Sequence, residues 1–258
     1  MDNRPIGIMD SGIGGLTVAE VIHQKYPKEK IIFIGDTARN PYGEKTSAEI
    51  TSYAEEMKSF LLSKDVKMII IACNTITFSV PASFYKGKIP VAGMSLPVPE
   101  NKNIKRLAVF ATAATIQSHR HKRRLLEKLP DIDIIEIPVE GLANAIEYRE
   151  SEEVYRKIIE DSVMKYSAAD ADTAVLACTH YPLIKDTFEK VLQKVKFIDP
   201  AESTVENAMQ ILEEKNALAD TAGRDLFFFT KDEEKSSPLV KKMFGKDSII
   251  EKVVLSGV

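Results

Sequence analysis

Short, uninterrupted runs of apolar and β-branched residues recur along the chain and alternate with segments of helical periodicity. The runs at 6–9 and 68–72, for example, contain no polar residue that would face solvent. A strand buried on both faces has this composition, whereas a half-exposed strand alternates apolar and polar residues. Helices that connect such strands cover both faces of a parallel sheet. The pattern therefore predicts an α/β fold with mainly parallel sheets.

Nine such runs are predicted strands, at residues 6–9, 30–35, 68–72, 91–94, 107–110, 132–137, 174–177, 195–198 and 226–229. Two of the intervening segments begin with a capping box, in which a Ser or Thr precedes a Glu by three positions. These pairs are Thr46 with Glu49 and Ser203 with Glu206. We expect a helix to begin at each.

The two halves of the chain resemble each other. "IGIMDSGIGG" near the start corresponds to "RLAVFATAAT", and "IIIACNT" corresponds to "AVLACTH". The second pair places Cys73 and Cys178 at matching positions. Chance similarity of short apolar strands is the alternative explanation. If the repeat is real, the chain forms two pseudo-symmetric α/β domains. Because ligands bind beyond the carboxyl ends of parallel strands, the active site is then expected in the interdomain cleft.

Charge and composition exclude several classes of protein. The net charge of −3 offers no basic surface for nucleic acid, and the basic run at 119–124 is predicted to be a solvated helix face. Neither a signal peptide nor an apolar run of membrane length is present, so we expect a cytoplasmic protein without a membrane partner. Two cysteines in a reducing compartment are not expected to form a structural disulfide, and they are too few for a zinc site.

Each cysteine follows a predicted strand and can start a helix. A helix N-terminus lowers the pKa of a thiol, so both cysteines are expected to be reactive. Two opposed thiols suit proton transfer, because a thiolate can take a proton from one face of a carbon while a thiol delivers one to the other face. The residues that follow, Asn74-Thr75 and Thr179-His180, can hydrogen-bond a carboxylate or an ammonium group. The alternative is that both cysteines are small buried apolar residues.

No cofactor or metal is expected. Pyridoxal phosphate needs a Schiff-base lysine and a phosphate cradle, and no such constellation stands out. The glycine-rich "DSGIGG" at 10–15 lacks both the dinucleotide spacing and the Walker lysine. A tight turn that binds an amino acid with backbone amides and polar side chains fits this segment better.

Four blocks in order resemble the glutamate racemases of the aspartate/glutamate racemase superfamily: "MDSGIGGLTV", "GDTARNPYGEK", "IACNT" and "LACTHYPL". The resemblance implies cofactor-independent interconversion of L- and D-glutamate, with D-glutamate supplied for peptidoglycan. Two alternatives stay open. One is racemisation of aspartate or of other acidic amino acids by the same mechanism, and the other is an amino-acid-binding regulator without catalysis.

The resemblance also assigns residues. It makes Cys73 and Cys178 the acid/base catalysts, with Asp10, His180 and Glu140 assisting them. It further implies that the substrate is bound by a larger set, namely Asp10, Ser11, Pro41, Tyr42, Gly43, Asn74, Thr75, Thr115, Thr179 and His180, with Thr112 as a further candidate.

The same resemblance implies a discontinuous domain arrangement and a homodimeric state. One domain would combine residues 1–96 with 208–258, the other would span 97–207, and the protein would be a homodimer. Three positions depart from the family pattern, namely Met9, Ser95 and Ala111. None touches the two thiols, but Ser95 and Ala111 are expected to affect the cleft floor or the hinge.

Overall fold

The computed structural model describes residues 1–99 and 104–255, and this part of the chain forms two parallel sheets. The strands of the first sheet are β1 (Ile6–Asp10), β2 (Ile31–Gly35), β3 (Met68–Ile71), β4 (Val91–Ala92), β9 (Leu226–Phe229) and β10 (Ile249–Lys252). The strands of the second sheet are β5 (Arg106–Ala111), β6 (Asp133–Pro138), β7 (Thr173–Leu176) and β8 (Lys196–Ile198).

The strand order confirms the internal repeat. The first sheet has the order β10-β9-β2-β1-β3-β4, and the second has β6-β5-β7-β8. Without the adjacent strands β9 and β10, the first sheet has the same order as the second, with β1 equivalent to β5 and β3 to β7. The register agrees, because Met9 pairs with Ile71 in one sheet and Phe110 with Leu176 in the other. Two pseudo-symmetric α/β units are therefore present, as the sequence predicts.

Helices cover both faces of each sheet. They are α1 (Leu16–Lys25), α2 (Ser47–Ser63), α3 (Asn74–Ser79), α4 (Ala113–Gln117), α5 (Arg120–Lys128), α6 (Leu142–Glu147), α7 (Glu152–Lys165), α8 (Lys185–Val191), α9 (Pro200–Glu214) and α10 (Glu233–Phe244). Helices α1, α9 and α10 bury apolar side chains on one face of the first sheet, and α2 and α3 do so on the other. In the second sheet, α6, α7 and α8 lie opposite α5. These two-sided cores explain why the strands read as continuous apolar runs.

All nine predicted strands are present within one or two residues. Strand β10 was not predicted, because "IIEK" is short and half polar. It is one of the two edge strands of the first sheet, and its glutamate and lysine are exposed to solvent. The described residues contain no helix that is both long and apolar enough to cross a bilayer.

One predicted capping box is confirmed and the other is wrong. Thr46 caps α2, and its side chain and that of Glu49 exchange hydrogen bonds with each other's backbone N–H groups. The pair Ser203–Glu206 lies inside α9 instead. That helix begins at Pro200, and the Asp199 side chain accepts the N–H of Ala201. Proline at the first helical position and aspartate before it form a stronger start signal than the internal serine.

Replacing Thr46 with alanine should lower the free energy of unfolding by about 1 kcal/mol, because the N–H of Glu49 loses its side-chain acceptor. Thr51→Ala is the matched control. Its hydroxyl donates to the carbonyl of Ser47 within the same helix, so its loss leaves no N–H unpaired. Urea denaturation measures both changes. Equal effects at the two positions would contradict a capping role for Thr46.

The first sheet takes strands from both ends of the chain, and the second takes them from the middle. Helix α9 packs on α1, so the chain has returned to the first sheet by Pro200. The division into residues 1–96 with 208–258 and residues 97–207 stays a prediction.

Candidate active site

A cavity of about 510 Å³ lies at the carboxyl ends of the central strands, between the two sheets. All but two of the predicted site residues line it, namely Ser11, Pro41, Tyr42, Gly43, Cys73, Asn74, Thr75, Glu140, Cys178, Thr179 and His180. The exceptions are Asp10, which accepts a hydrogen bond from Thr179, and Thr115, which accepts one from Thr112 in the lining. The geometry thus assembles the set around one cavity, and the role of each residue stays a prediction.

The glycine-rich turn after β1 lets the two units approach each other. A Cβ on Gly14 would lie 2.6 Å from both Thr179 Oγ1 and His180 Nδ1 of the second unit. A Cβ on Gly12 would lie 2.3 Å from Glu147 Oε2. Real Cβ atoms do not approach heavy atoms so closely, so side chains at these positions would force atoms of the site to move. The turn "DSGIGG" therefore supports close packing between the units.

Cys73 lies between β3 and α3 and is 5% exposed. Its Sγ is 3.6 Å from Ser11 Oγ, and either atom can donate. Burial, reinforced by the nearby Asp10 carboxylate, raises the pKa of Cys73 to about 12. The sequence predicted a lowered pKa from the helix start, and that prediction was wrong in direction, because desolvation outweighs the short helix α3. Cys73 is therefore a thiol at neutral pH.

Asp10 ends β1 and has no exposed surface. One carboxyl oxygen accepts the N–H of Gly12 at 2.7 Å, and the other accepts the hydroxyl of Thr179 at 3.1 Å. Burial raises the pKa of Asp10 to about 7. Asp10 can therefore bind or release a proton near neutral pH, and it ties the first unit to the loop that carries Cys178.

Cys178 follows β7 and lies beside His180. The distance from Cys178 Sγ to His180 Nδ1 is 3.9 Å, and His180 Nε2 lies 2.6 Å from Glu147 Oε2. Burial alone lowers the pKa of His180, but its hydrogen bonds with Cys178 and Glu147 raise that pKa well above the ordinary value. Glu147 also accepts the N–H of Ile13 from the first unit at 3.0 Å. His180 is thus held as a buried cation next to the second sulfur.

The glutamate beside His180 is Glu147, whereas the sequence predicted Glu140 for assistance at the second thiol. Glu140 lines the cavity but is exposed at its rim, in the turn that leads into α6. Glu147 lies at the end of α6, and its side chain is 7% exposed. The sequence does contain a signal for Glu147. This glutamate lies about two helical turns after the end of β6, a spacing that can place its side chain on the cleft side of α6.

A chain of hydrogen-bonded hydroxyls joins the two units at the cavity. Thr75 Oγ1 lies 3.0 Å from Thr112 Oγ1, which donates to Thr115 Oγ1 at 3.1 Å. Thr75 belongs to the first unit and the other two belong to the second. These hydroxyls can donate to a carboxylate or accept from an ammonium group, because each can rotate its proton.

The loop that contains Pro41, Tyr42 and Gly43 is held in place by hydrogen bonds to the buried Asp36. The hydroxyl of Tyr42 donates to Asp36, a fully buried residue at the end of β2. Asp36 also accepts Arg39 Nε at 2.6 Å and the hydroxyl of Thr230 at 2.8 Å. The Tyr42 side chain is therefore buried and its hydroxyl is bound to Asp36. The backbone of this segment is then the part that can contact a ligand.

Several buried amides in the cavity wall have no hydrogen-bond partner within the described residues. They are both side-chain polar atoms of Asn74, Nδ2 of Asn40 and Oδ1 of Asn144. Buried polar atoms normally have partners, so these three side chains are available for a polar ligand. Asn74 was predicted, whereas Asn40 and Asn144 were missed. In the part of the chain that is described, no group of three or more His, Cys, Asp or Glu side chains could hold a metal.

Comparisons with known proteins agree with this geometry. A glutamate racemase of Lactobacillus johnsonii is 35% identical over 259 residues, covering 97% of each chain. Crystal structures of glutamate racemases superpose well. The enzyme from Bacillus anthracis has a TM-score of 0.88 at 31% identity and 98% coverage of both chains. The enzyme from Francisella tularensis, in complex with D-glutamate, has a TM-score of 0.86 at 31% identity and full coverage.

The sequence pattern of one family spans most of the chain. Residues 6–208 match Asp/Glu/Hydantoin racemase, a stretch that includes both cysteines, the cavity and the whole second sheet. Together with the full-length likeness to curated glutamate racemases, this match shows that the chain belongs to the Asp/Glu/hydantoin racemase family.

Proposed function

We propose that this protein interconverts L-glutamate and D-glutamate by proton transfer at Cα between two cysteines. One observation carries the proposal. Cys73 and Cys178 follow equivalent strands of two pseudo-symmetric sheets, and both line one cavity between those sheets. Nucleophilic catalysis needs a single thiol, whereas inversion of a carbon centre needs an acid and a base on opposite sides of it. The repeat supplies two thiols from opposite directions.

The charges around the two sulfurs support a defined resting state. The cationic His180 ring lies 3.9 Å from Cys178 Sγ, while the raised pKa keeps Cys73 a thiol. Cys178 then removes the proton from one enantiomer, and Cys73 delivers a proton to the opposite face. The other enantiomer needs the reverse state, in which Asp10 accepts the Cys73 proton and His180 supplies one to Cys178. Each proton thus has a donor and an acceptor.

The developing carbanion is the difficult species, because the α-proton of an amino acid is far less acidic than a thiol. The unpartnered side-chain N–H groups of Asn74 and Asn40 line the cavity. Fixed donors in a site shielded from water stabilise developing negative charge on the substrate carboxylate more effectively than water does. We assign this stabilisation to these donors.

We propose glutamate as the substrate, and not aspartate, because of the proteins that this chain resembles. The similar full-length proteins at 31–35% identity are glutamate racemases, and one of them was crystallised with D-glutamate. The physics of the pocket separates the two amino acids weakly, since one methylene is worth about 1–3 kcal/mol. Assays with both amino acids are therefore part of the test.

The motif resemblance supports three further proposals. D-Glutamate made by this enzyme is used for peptidoglycan, the enzyme acts in the cytoplasm, and it forms a homodimer. It also supports the assignment of residues 1–96 with 208–258 to one domain and 97–207 to the other.

The decisive experiment uses dialysed, metal-free protein in heavy water with L- or D-glutamate, and in parallel with aspartate. We expect deuterium at Cα and loss of optical rotation from both glutamate enantiomers, and inactivation by a thiol alkylator. Exchange with aspartate alone would support the alternative substrate. Tight glutamate binding without exchange would support a non-catalytic regulator and would overturn the proposal.

Glu147→Gln should lower kcat about tenfold with little change in KM, because Glu147 acts through His180 and does not line the cavity. Removing the carboxylate takes away one of the interactions that raise the pKa of His180. His180 then loses its proton at lower pH, and the alkaline limb of the kcat profile should move to lower pH. The matched change Glu140→Gln distinguishes the two glutamates. A larger loss and pH shift in that variant would support the sequence-based assignment of Glu140.

A further inference from the structure

The side chains that line the cavity carry an uneven set of charges. Two carboxylates, Glu44 and Glu140, lie at its exposed rim. Behind the wall lie two more acids, Asp10 and Glu147. Among the described residues of the lining, Lys45 is the only lysine or arginine. An amino acid with two carboxylates therefore approaches a mouth that is acidic apart from this one ammonium group.

The backbone of Lys45 is held on both sides. Its N–H donates to the carbonyl of Tyr42 at 3.1 Å, which closes the short 3-10 turn Tyr42–Glu44. The next residue, Thr46, is fixed by the capping box of α2. The position of Lys45 at the mouth is thus set by local hydrogen bonds of its own segment.

The ammonium group of Lys45 is available to a ligand. Within residues 1–99 and 104–255, no carboxylate oxygen lies within the 4.0 Å that defines a salt bridge to it. The nearby Glu49 carboxylate already accepts the N–H and the hydroxyl of Thr46, at 2.9 and 2.7 Å. The side chain of Lys45 is half-buried, so a charge there is screened less than that of a fully exposed lysine.

From these observations we propose that Lys45 is a substrate-attracting residue that favours acidic over neutral amino acids. The inference rests on the proposed function and adds a residue to it. Lys45 does not touch the reacting atoms. A charge at the mouth of a cleft changes the association rate and its salt dependence, and leaves the chemical step unaltered.

The test compares Lys45→Met with Lys45→Arg in steady-state racemisation of L- and D-glutamate. In Lys45→Met we expect kcat/KM to fall about fivefold through KM, with kcat unchanged, as for an exposed charge pair. The decrease of kcat/KM with added salt should become shallower. The kcat/KM of Lys45→Arg should stay within about twofold of the wild-type value, because arginine keeps the positive charge. Cα exchange of glutamine should not respond to Lys45→Met.

Lys28→Met is the control for a change in net charge. Lys28 is exposed in the turn before β2, at the amino-terminal edge of the first sheet and opposite the cavity. The Lys28→Met change should leave KM and the salt dependence of kcat/KM unchanged. An unchanged KM in Lys45→Met, or a loss confined to kcat, would overturn the inference while glutamate racemisation by the wild type stands. A wild type that does not racemise glutamate would remove the proposed function and this inference together.

Discussion

Cys73→Ser and Cys178→Ser each lose net racemisation of glutamate by about a thousandfold or more. General acid/base catalysis contributes about 10²–10⁴ in rate, and a serine hydroxyl is a far weaker acid than a thiol. Both cysteines are buried in the cavity wall, and serine is close to cysteine in size, so the fold should tolerate each change. Polarimetry measures the net reaction, and circular dichroism checks the fold.

The single variants also separate the two faces of the carbon. In each of them one thiol remains, and it can still exchange the proton that faces it with solvent. Cys73→Ser should therefore incorporate deuterium into only one enantiomer of glutamate, and Cys178→Ser into only the other. The double variant should incorporate none. Wild-type turnover in both directions by either single variant would contradict the two-base mechanism, as would exchange of the same enantiomer by both.

Much of the fold follows from local sequence patterns. The continuous apolar runs predicted nine of the ten described strands, and the repeat of "ACNT" and "ACTH" predicted two equivalent units. These signals survive because a strand buried on both faces has little choice of composition. Strand β10 was missed for the opposite reason, since an edge strand needs fewer apolar residues and "IIEK" reads like many polar segments.

Most of the candidate site was predicted from motifs that follow strand ends, whereas Asn144 and Glu147 were missed because helix α6 brings them to the cleft. Cys73, Thr179 and their neighbours directly follow strands, so their position is fixed by the sheet. Glu147 lies at the far end of α6, and its approach to His180 depends on how that helix packs. The pKa of Cys73 was predicted in the wrong direction, because sequence shows the start of α3 but not the depth of burial.

Gly14→Ala should lower kcat/KM by about a hundredfold, because the added methyl group enters space occupied by the second unit. Its Cβ would lie 2.6 Å from His180 Nδ1 and Thr179 Oγ1, and 2.8 Å from the backbone nitrogen of His180. The backbone atom cannot rotate away, so the loop that carries Cys178 must shift. A displacement of about 1 Å of a catalytic group costs on the order of a hundredfold in rate.

Two other glycines provide a graded comparison. A Cβ on Gly12 meets the carboxylate end of Glu147, a side chain that can move, so Gly12→Ala should cost about tenfold, like the loss of Glu147 itself. On Gly87 the nearest atom is the carbonyl oxygen of Ile89 at 3.9 Å, and Gly87→Ala should leave kcat/KM unchanged. None of the three glycines has a positive φ, so backbone strain does not separate them.

All three variants keep both cysteines, so differences in kcat/KM among them measure how much the rate depends on close packing between the units. Kinetics and thermal unfolding should be measured on all three. We expect kcat/KM to fall most in Gly14→Ala and least in Gly87→Ala, although both cysteines are intact throughout. If Gly14→Ala kept wild-type kcat/KM, the loop with Cys178 and His180 would tolerate displacement. The 3.1 Å hydrogen bond from Thr179 to Asp10, which joins this loop to the first unit, would then not be a contact on which the rate depends.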